Sequence, residues 1–280
     1  MKNLLKSIFI SVFPMFTLYV FIVSIIHFTQ NGFTIQYAGK LIASFTIITL
    51  FVGLFIIPQA RTKRNLDIYT IIIGIGLISS VIGSFLSSGD KNNSIIILLI
   101  LCWIAYLSWY SIFEKRNTSI LKVGNRLPNF ELEDTDKNKI SSFTFFGQPS
   151  IFLFYRGNWC PLCMAQIKEI VAQYKALEDR GVHMVLISPQ PHQYSKNLAK
   201  KFNVNFNFLT DANNTVAKQL GIFAENGIPA GFQAFGYGSD TVLPTVIITN
   251  TKGNIVFADL TDNYRVRPEP ETFLKVIDSL

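Results

Sequence analysis

The stretch Ile151-Phe152-Leu153-Phe154-Tyr155-Arg156-Gly157-Asn158-Trp159-Cys160-Pro161-Leu162-Cys163 decides the reading of the second half of this chain. Its first five residues are continuously apolar, the pattern of a strand buried on both faces of a parallel sheet. Four residues, 156–159, separate that strand from Cys160. Beyond Cys160 the apolar residues take helical spacing, at Ile167, Ile170, Val171, Tyr174 and Leu177. They predict a helix over 164–180 closed by Gly181. Cys160 therefore stands at a strand-to-helix junction, where unpaired backbone N–H groups and the helix dipole favour a thiolate. Thiolate, not thiol, is the nucleophile. Cys163 lies one turn on, within reach of a mixed disulfide formed at Cys160. Pro161 suits the first helical turn, where its missing N–H costs little. The spacing predicts a redox dithiol in which Cys160 attacks and Cys163 resolves. A zinc half-site is the other reading of C-x-x-C, but zinc needs a second ligand pair and the sequence has none, so no metal or cofactor is expected.

Working outward, apolar runs at 182–188, 206–209 and 245–249 read as further strands, and a hairpin returns over 254–258 through the turn 250–253. Helical patterns fall at 194–202, at 214–220 before Gly221, and at 269–280. Strands alternating with helices imply βαβ units with right-handed crossovers, and the late hairpin adds an antiparallel edge. Residues 117–280 are thus expected to form one α/β domain.

The first 116 residues differ in kind. The whole chain is 49% hydrophobic and only 15% charged, against about 25% charged in a soluble domain. Four uncharged stretches, 7–29, 41–58, 68–86 and 94–113, approach or exceed the roughly 20 residues that cross a bilayer. They predict an all-α region of four transmembrane helices over residues 1–116, contacting membrane lipid. Residues 7–29 are too long for a cleaved leader and lack a small-residue cleavage site, so they read as a retained helix, with Pro14 as a candidate kink. Lys2 and Lys6, then Lys40 alone, then Arg61, Lys63 and Arg64, then Lys91 alone, then Lys115, Arg116, Lys122 and Arg126 form an alternating basic pattern. It predicts a multi-pass protein of the inner membrane with both termini and the redox domain in the cytoplasm. His27 reads as an interfacial side chain and Cys102 as packing. Trp103, Tyr106, Trp109 and Tyr110 read as interface aromatics or packing groups, and Gly74, Gly76 and Gly83 as places of close helix approach. Residues 1–116 carry net charge +6 and residues 117–280 only +1, so no dense basic patch marks the α/β domain and no nucleic-acid partner is expected.

From Val123 onward the sequence resembles the peroxiredoxin-like branch of the alkyl hydroperoxide reductase/thiol-specific antioxidant (AhpC/TSA) family, in the thioredoxin superfamily. Val123-Gly124-Asn125-Arg126-Leu127-Pro128-Asn129-Phe130 is similar to the family's G-x-x-x-P-x-F lead-in, and residues 154–163 to F-Y-R-G-x-W-C-P-x-C. Asp211, Ala217 and Leu220-Gly221 resemble its D…A…G segment. Leu243-Pro244-Thr245, the Gly253 hairpin, Asp262-Asn263-Tyr264-Arg265 and Glu269-Pro270 follow in family order. The resemblance implies a thioredoxin-like fold of peroxiredoxin type. It also implies a thiol-dependent antioxidant enzyme that reduces hydroperoxides, drawing electrons from a thioredoxin-like or small thiol donor. Two departures stand out. The family places Thr or Ser three residues before the attacking cysteine, where this chain has Gly157; and it places Arg before the late strand, where this chain has Leu243-Pro244. Leu-Pro-Thr looks instead like the cis-proline of thioredoxins, which faces the dithiol. Arg156 either supplies the positive charge near Cys160 or is a surface or carboxylate-paired side chain. Trp159 is a site wall or plain packing, and Tyr264 and Arg265 are further candidates. A thiol–disulfide oxidoreductase acting on disulfides, and a membrane-bound redox sensor, remain alternatives to the peroxidase.

Overall fold

The computed structural model describes residues 2–86, 93–113, 116 and 119–280. Lys91 and Lys115 of the loop-charge pattern, and the expected domain start at Asn117, lie outside these residues. The chain divides into two compact units, one of Ile8–Pro58 and Thr62–Ile112, the other of Met1–Ser7, Gln59–Arg61 and Phe113–Leu280.

The first unit is helical. Its elements are α1 (Lys2–Asn31), α2 (Ile35–Ile56), α3 (Asp67–Leu86) and α4 (Ser94–Ala105). Three of these, α1 to α3, are long and apolar enough to cross a membrane. The expected fourth span is shorter than 94–113: α4 runs on only as a π-helical turn, Tyr106–Tyr110, so the apolar helix ends at Tyr110. The Ser111 N–H reaches back five residues to the Tyr106 carbonyl, which widens that turn. Tyr106 and Trp103 are buried and their rings stack at 5.7 Å, so they pack rather than face an interface. Outward-facing Phe55, Ile57, Ile71, Ile78, Phe85 and Leu101 leave far more exposed apolar surface than a water-facing helix carries.

Lys40 is not in a loop. The Thr34 hydroxyl accepts the Tyr37 N–H and starts α2 before residue 41, so Lys40 lies inside the helix, buried, with its ammonium 4.2 Å from the Tyr37 ring centre. His27 stacks on the same ring. Helices α2 and α3 approach closely through Gly39, Gly76 and Gly83. A Cβ on Gly76 would meet the Gly39 carbonyl oxygen at 2.8 Å and the Ala43 nitrogen at 2.9 Å, whereas Gly74 faces open space. Gly39→Val is therefore expected to lower the thermal midpoint in detergent, costing on the order of 1–3 kcal/mol of overpacking, with thiol chemistry at Cys160 unchanged.

The second unit holds β1 (Glu131–Glu133), β2 (Lys139–Ser141), β3 (Ser150–Phe154), α5 (Pro161–Ala172), α6 (Tyr174–Glu178), β4 (His183–Ser188), α7 (His192–Phe202) and β5 (Asn207–Thr210). It continues with α8 (Thr215–Gln219), β6 (Phe223–Ala224), β7 (Thr241–Val242), β8 (Thr245–Thr249), β9 (Ile255–Asp259) and α9 (Pro270–Asp278). The main sheet has the order β2-β1-β5-β4-β3-β8-β9. At its centre β3 runs parallel to β4 and antiparallel to β8, with Phe152 opposite Val185 on one side and Ile247 on the other. A βαβ unit (β3-α5-β4) followed by a ββα unit (β8-β9-α9) is the thioredoxin-like arrangement, here widened by β5 and the β1–β2 hairpin. Every residue of β3 is buried, which is why its sequence shows no alternation. Phe152, Phe154, Val185, Ile187, Leu209 and Ile247 share one core. The single helix expected over 164–180 is broken at Gln173 (φ −96°, ψ 12°) into α5 and α6.

Candidate active site

Strand β3 ends at Phe154 and delivers the chain, through residues 155–159, to the start of α5. Cys160 is the N-cap of that helix and Pro161 its first residue. The Cys163 N–H lies 3.4 Å from the Cys160 sulfur, so that sulfur satisfies a donor at the helix start. The two Sγ atoms are 2.6 Å apart and joined by a hydrogen bond. Both cysteines are free thiols and almost wholly buried, Cys160 at 2% exposure and Cys163 at 0%.

Sequence reasoning missed the strongest contact to this pair. The Arg267 guanidinium, buried after β9, reaches the Cys163 sulfur at 3.5 Å. Its second nitrogen donates to Gln166 Oε1 at 2.8 Å and its Nε to the Tyr264 carbonyl. Tyr264 thus enters through its backbone, and the arginine that meets the dithiol is Arg267 rather than Arg265. No periodicity marks Arg267, because it sits in an irregular segment before α9; its only signal is a second arginine directly before Pro268.

Burial alone would raise both thiols. Against burial, the hydrogen bond from Cys160, the Arg267 charge, the Arg156 backbone N–H and the Arg156 charge hold the Cys163 thiol down to about 5. Burial, with the hydrogen bond and charge of Cys163, pushes Cys160 well above the ordinary thiol value. The two sulfurs share one proton, so these are properties of the pair. One proton leaves in mildly acid solution, and the second is retained through the physiological range.

Arg156 is buried. Its guanidinium donates to the Gly227 carbonyl and lies 4.6 Å from the Trp159 ring centre. Its charge acts on both thiols. Trp159 is wedged between Arg156 and Phe232, whose ring lies 5.6 Å away. Gly157 has φ +139°, and a Cβ there would meet the Trp159 ring at 2.9 Å. The backbone therefore has no room for the family's hydroxyl residue at this position. Gly157→Thr is expected to cost about 1–3 kcal/mol of strain, read as a drop of several degrees in the melting midpoint.

Pro244 lines a small crevice with Arg267, the side chain that meets Cys163, and with Gln166, which accepts from Arg267. The expected cis peptide is absent: all described peptide bonds are trans. Arg116 fixes this turn instead, donating to the Pro244 carbonyl at 3.1 Å and to Thr245 Oγ1 at 2.7 Å; trans is also the intrinsically favoured form. Asp211 of the D…A…G segment caps α8, its carboxylate accepting the Val216 and Ala217 N–H groups. His183 packs on Phe145, and His192 pairs with Glu133.

The profile of the AhpC/TSA family matches residues 123–258, the span that carries this site. Those residues belong to the AhpC/TSA family. Within it, the AhpC/TSA region is 31% identical over 112 residues to a chloroplastic peroxiredoxin Q of Populus jackii, covering 39% of this chain and 53% of that protein. A peroxiredoxin Q of Oryza sativa subsp. japonica is 30% identical over 102 residues, covering 36% of this chain and 47% of that protein. This chain thus spans about half the length of these peroxiredoxin Q relatives. The thiol-disulfide oxidoreductase ResA of Bacillus thuringiensis subsp. konkukian (strain 97-27) is 26% identical over 130 residues, covering 46% of this chain and 73% of that protein. Among solved structures, the peroxidoxin BcpB of Mycobacterium tuberculosis aligns with TM-score 0.47 and 18% identity over 57% of this chain and 98% of its own.

Proposed function

We propose that this protein is a membrane-anchored, thiol-dependent oxidoreductase that reduces hydroperoxides through a Cys160–Cys163 dithiol–disulfide cycle. The observation that carries this reading is the buried pair itself: two sulfurs 2.6 Å apart at a helix start, with the Arg267 cation on one of them. Cys160, the N-cap, attacks the terminal peroxide oxygen as a thiolate, in the form of the pair whose one shared proton sits on Cys163. The O–O bond breaks, the alkoxide takes the proton held by the pair and leaves as an alcohol, and Cys160 becomes a sulfenic acid. The Cys163 thiolate then attacks that sulfur. An S–S bond forms and hydroxide leaves, to be protonated by solvent. Two electrons pass from the dithiol to the peroxide.

Relatives named both peroxiredoxin Q and ResA support the coarser class, a thiol oxidoreductase. Gly157 supports a second reading, thiol–disulfide exchange on disulfide substrates, because no side-chain hydroxyl stands where the family binds peroxide oxygens. Hydroperoxide consumption by the full chain in detergent, with a dithiol reductant, distinguishes the two. Turnover of peroxide supports the first; rapid reduction of insulin disulfides without peroxide turnover replaces it with the second.

The anchor is part of the proposal. Helices α1 to α3 and the shorter α4 form a four-pass region over residues 1–116, and the basic loop pattern puts both termini and the redox domain in the cytoplasm. A reporter fused after Leu280 that is active only outside the cytoplasm overturns that orientation.

A further inference from the structure

Arg61 lies between α2 and α3 in sequence, where the charge pattern counts it only as a basic loop residue. It folds, with Gln59 and Ala60, into the compact unit that holds the dithiol. Ala60 is buried and the Arg61 side chain half-buried. The planar guanidinium of Arg61 bridges a carboxylate and two backbone carbonyls. Nη1 donates to Glu169 Oε1 at 3.4 Å, and Nη2 donates to Glu169 Oε2. Nε donates to the Arg267 carbonyl and Nη2 to the Pro268 carbonyl, both at 3.3 Å. Glu169 stands on α5, the helix that carries Cys163. Arg267 is the residue whose guanidinium reaches the Cys163 sulfur at 3.5 Å. Arg61 therefore joins the two sides of the Arg267–Cys163 contact.

The segment that carries Arg267 needs such a restraint. It lies between β9 and α9, outside any helix or strand. Pro268 has no N–H to donate, and Glu269 caps α9 without a side-chain bond. The charges that act on the two thiols are those of Arg267 and Arg156, and Tyr155 faces Cys163. Asp259 and Arg116 act in turn on Arg267. A guanidinium that drifts outward by about 1 Å from such a contact loses roughly a fifth of its Coulomb attraction.

We propose that Arg61 is a positioning residue of the dithiol: it ties the backbone at 267–268 to α5 and so keeps the Arg267 guanidinium on the Cys163 sulfur. The inference rests on the dithiol reading above and adds to it a residue from the α2–α3 connection. Arg61 touches neither sulfur and acts through the place it gives Arg267.

The test follows alkylation of the reduced full chain in detergent by iodoacetamide against pH. The peptide with Cys160 and Cys163 is separated from that with Cys102 and read by mass. In the wild type the lower midpoint lies near 5. Arg61→Gln is expected to raise it by about half to one unit, so that alkylation at pH 4 slows about three- to tenfold. In an Arg267→Gln background the same substitution is expected to add nothing, because the residue it acts through is gone. Arg61→Met, which keeps the aliphatic stem, carries the same expectations. An unchanged midpoint in a folded Arg61→Gln or Arg61→Met chain overturns the proposal. An equal shift with and without Arg267 overturns it as well, since Arg61 then acts by its own charge. Loss of the fold in both variants makes Arg61 a residue of the fold and has the same consequence. Iodoacetamide needs neither peroxide nor an electron donor, so the two claims separate. A wild-type chain without a low midpoint sinks the dithiol reading, whereas a low midpoint indifferent to Arg61 sinks this inference alone.

Discussion

Cys160→Ser is expected to abolish turnover of both hydroperoxides and disulfides, because it removes the sulfur that first bonds to either substrate. Cys163→Ser is expected to react once and stop. Its first step leaves a sulfenic acid on Cys160, one oxygen heavier by mass, and no neighbouring thiol displaces it. With a disulfide substrate the same variant stalls as a mixed disulfide. The asymmetry follows from position: Cys160 is the helix N-cap, while Cys163 lies inside the first turn against Arg267. Equal single-turnover chemistry in both Ser variants would mean that the roles are not fixed by the helix start.

Arg267→Gln carries the second large effect. In the wild type one proton leaves the pair near pH 5, so alkylation of the reduced protein is expected to fall about tenfold per pH unit below that point and stay flat from pH 6 to 8. Removing the guanidinium takes away the cation that offsets burial of the thiolate. The midpoint then rises, and at pH 5 the rate falls by about tenfold for each unit of that rise. Arg267→Lys is expected to restore part of it, which a purely structural role for Arg267 does not predict.

The same charge has two further consequences. The Cys163 pKa is depressed from 9.0 in the unfolded chain to about 5. A depressed acid stabilises the folded state above its unfolded value, and that stability is lost as pH falls toward the folded value. Reduced protein is therefore expected to gain stability between pH 5 and 9 relative to Cys163→Ser. Because Arg267 stabilises the reduced thiolate and not the disulfide, it makes the couple more oxidising. Arg267→Gln lowers the reduction potential, by about 30 mV for each 1.4 kcal/mol of lost stabilisation.

Much of this arrangement is legible in the sequence. The continuous apolar run of β3, the helical spacing behind Cys160 and the late hairpin place the dithiol correctly at a strand-to-helix junction. β8, at residues 245–249, is read to the residue. What is not legible comes from contacts distant in sequence. Arg267 meets Cys163 across 104 positions and from an irregular segment, so no local pattern selects it over Arg265. Arg116 holds Pro244 in a trans turn from 128 residues away. The hairpin β1–β2 and the pair β6–β7 are too short to show a period. In the helical unit, hydropathy finds α1 to α3 and places α3 within one residue, but it starts α2 at 41 rather than Ile35, because that start is set by the hydroxyl cap at Thr34 rather than by composition.

The most direct test is to treat the reduced full chain in detergent with one equivalent of hydroperoxide, then count thiols and weigh the product. The account predicts loss of two of the three thiols, a product two hydrogens lighter, and a Cys160–Cys163 bond in its peptide map, with Cys102 still free. A dithiol unchanged by peroxide, or a stable sulfenic acid on Cys160 with Cys163 still reduced, would contradict it.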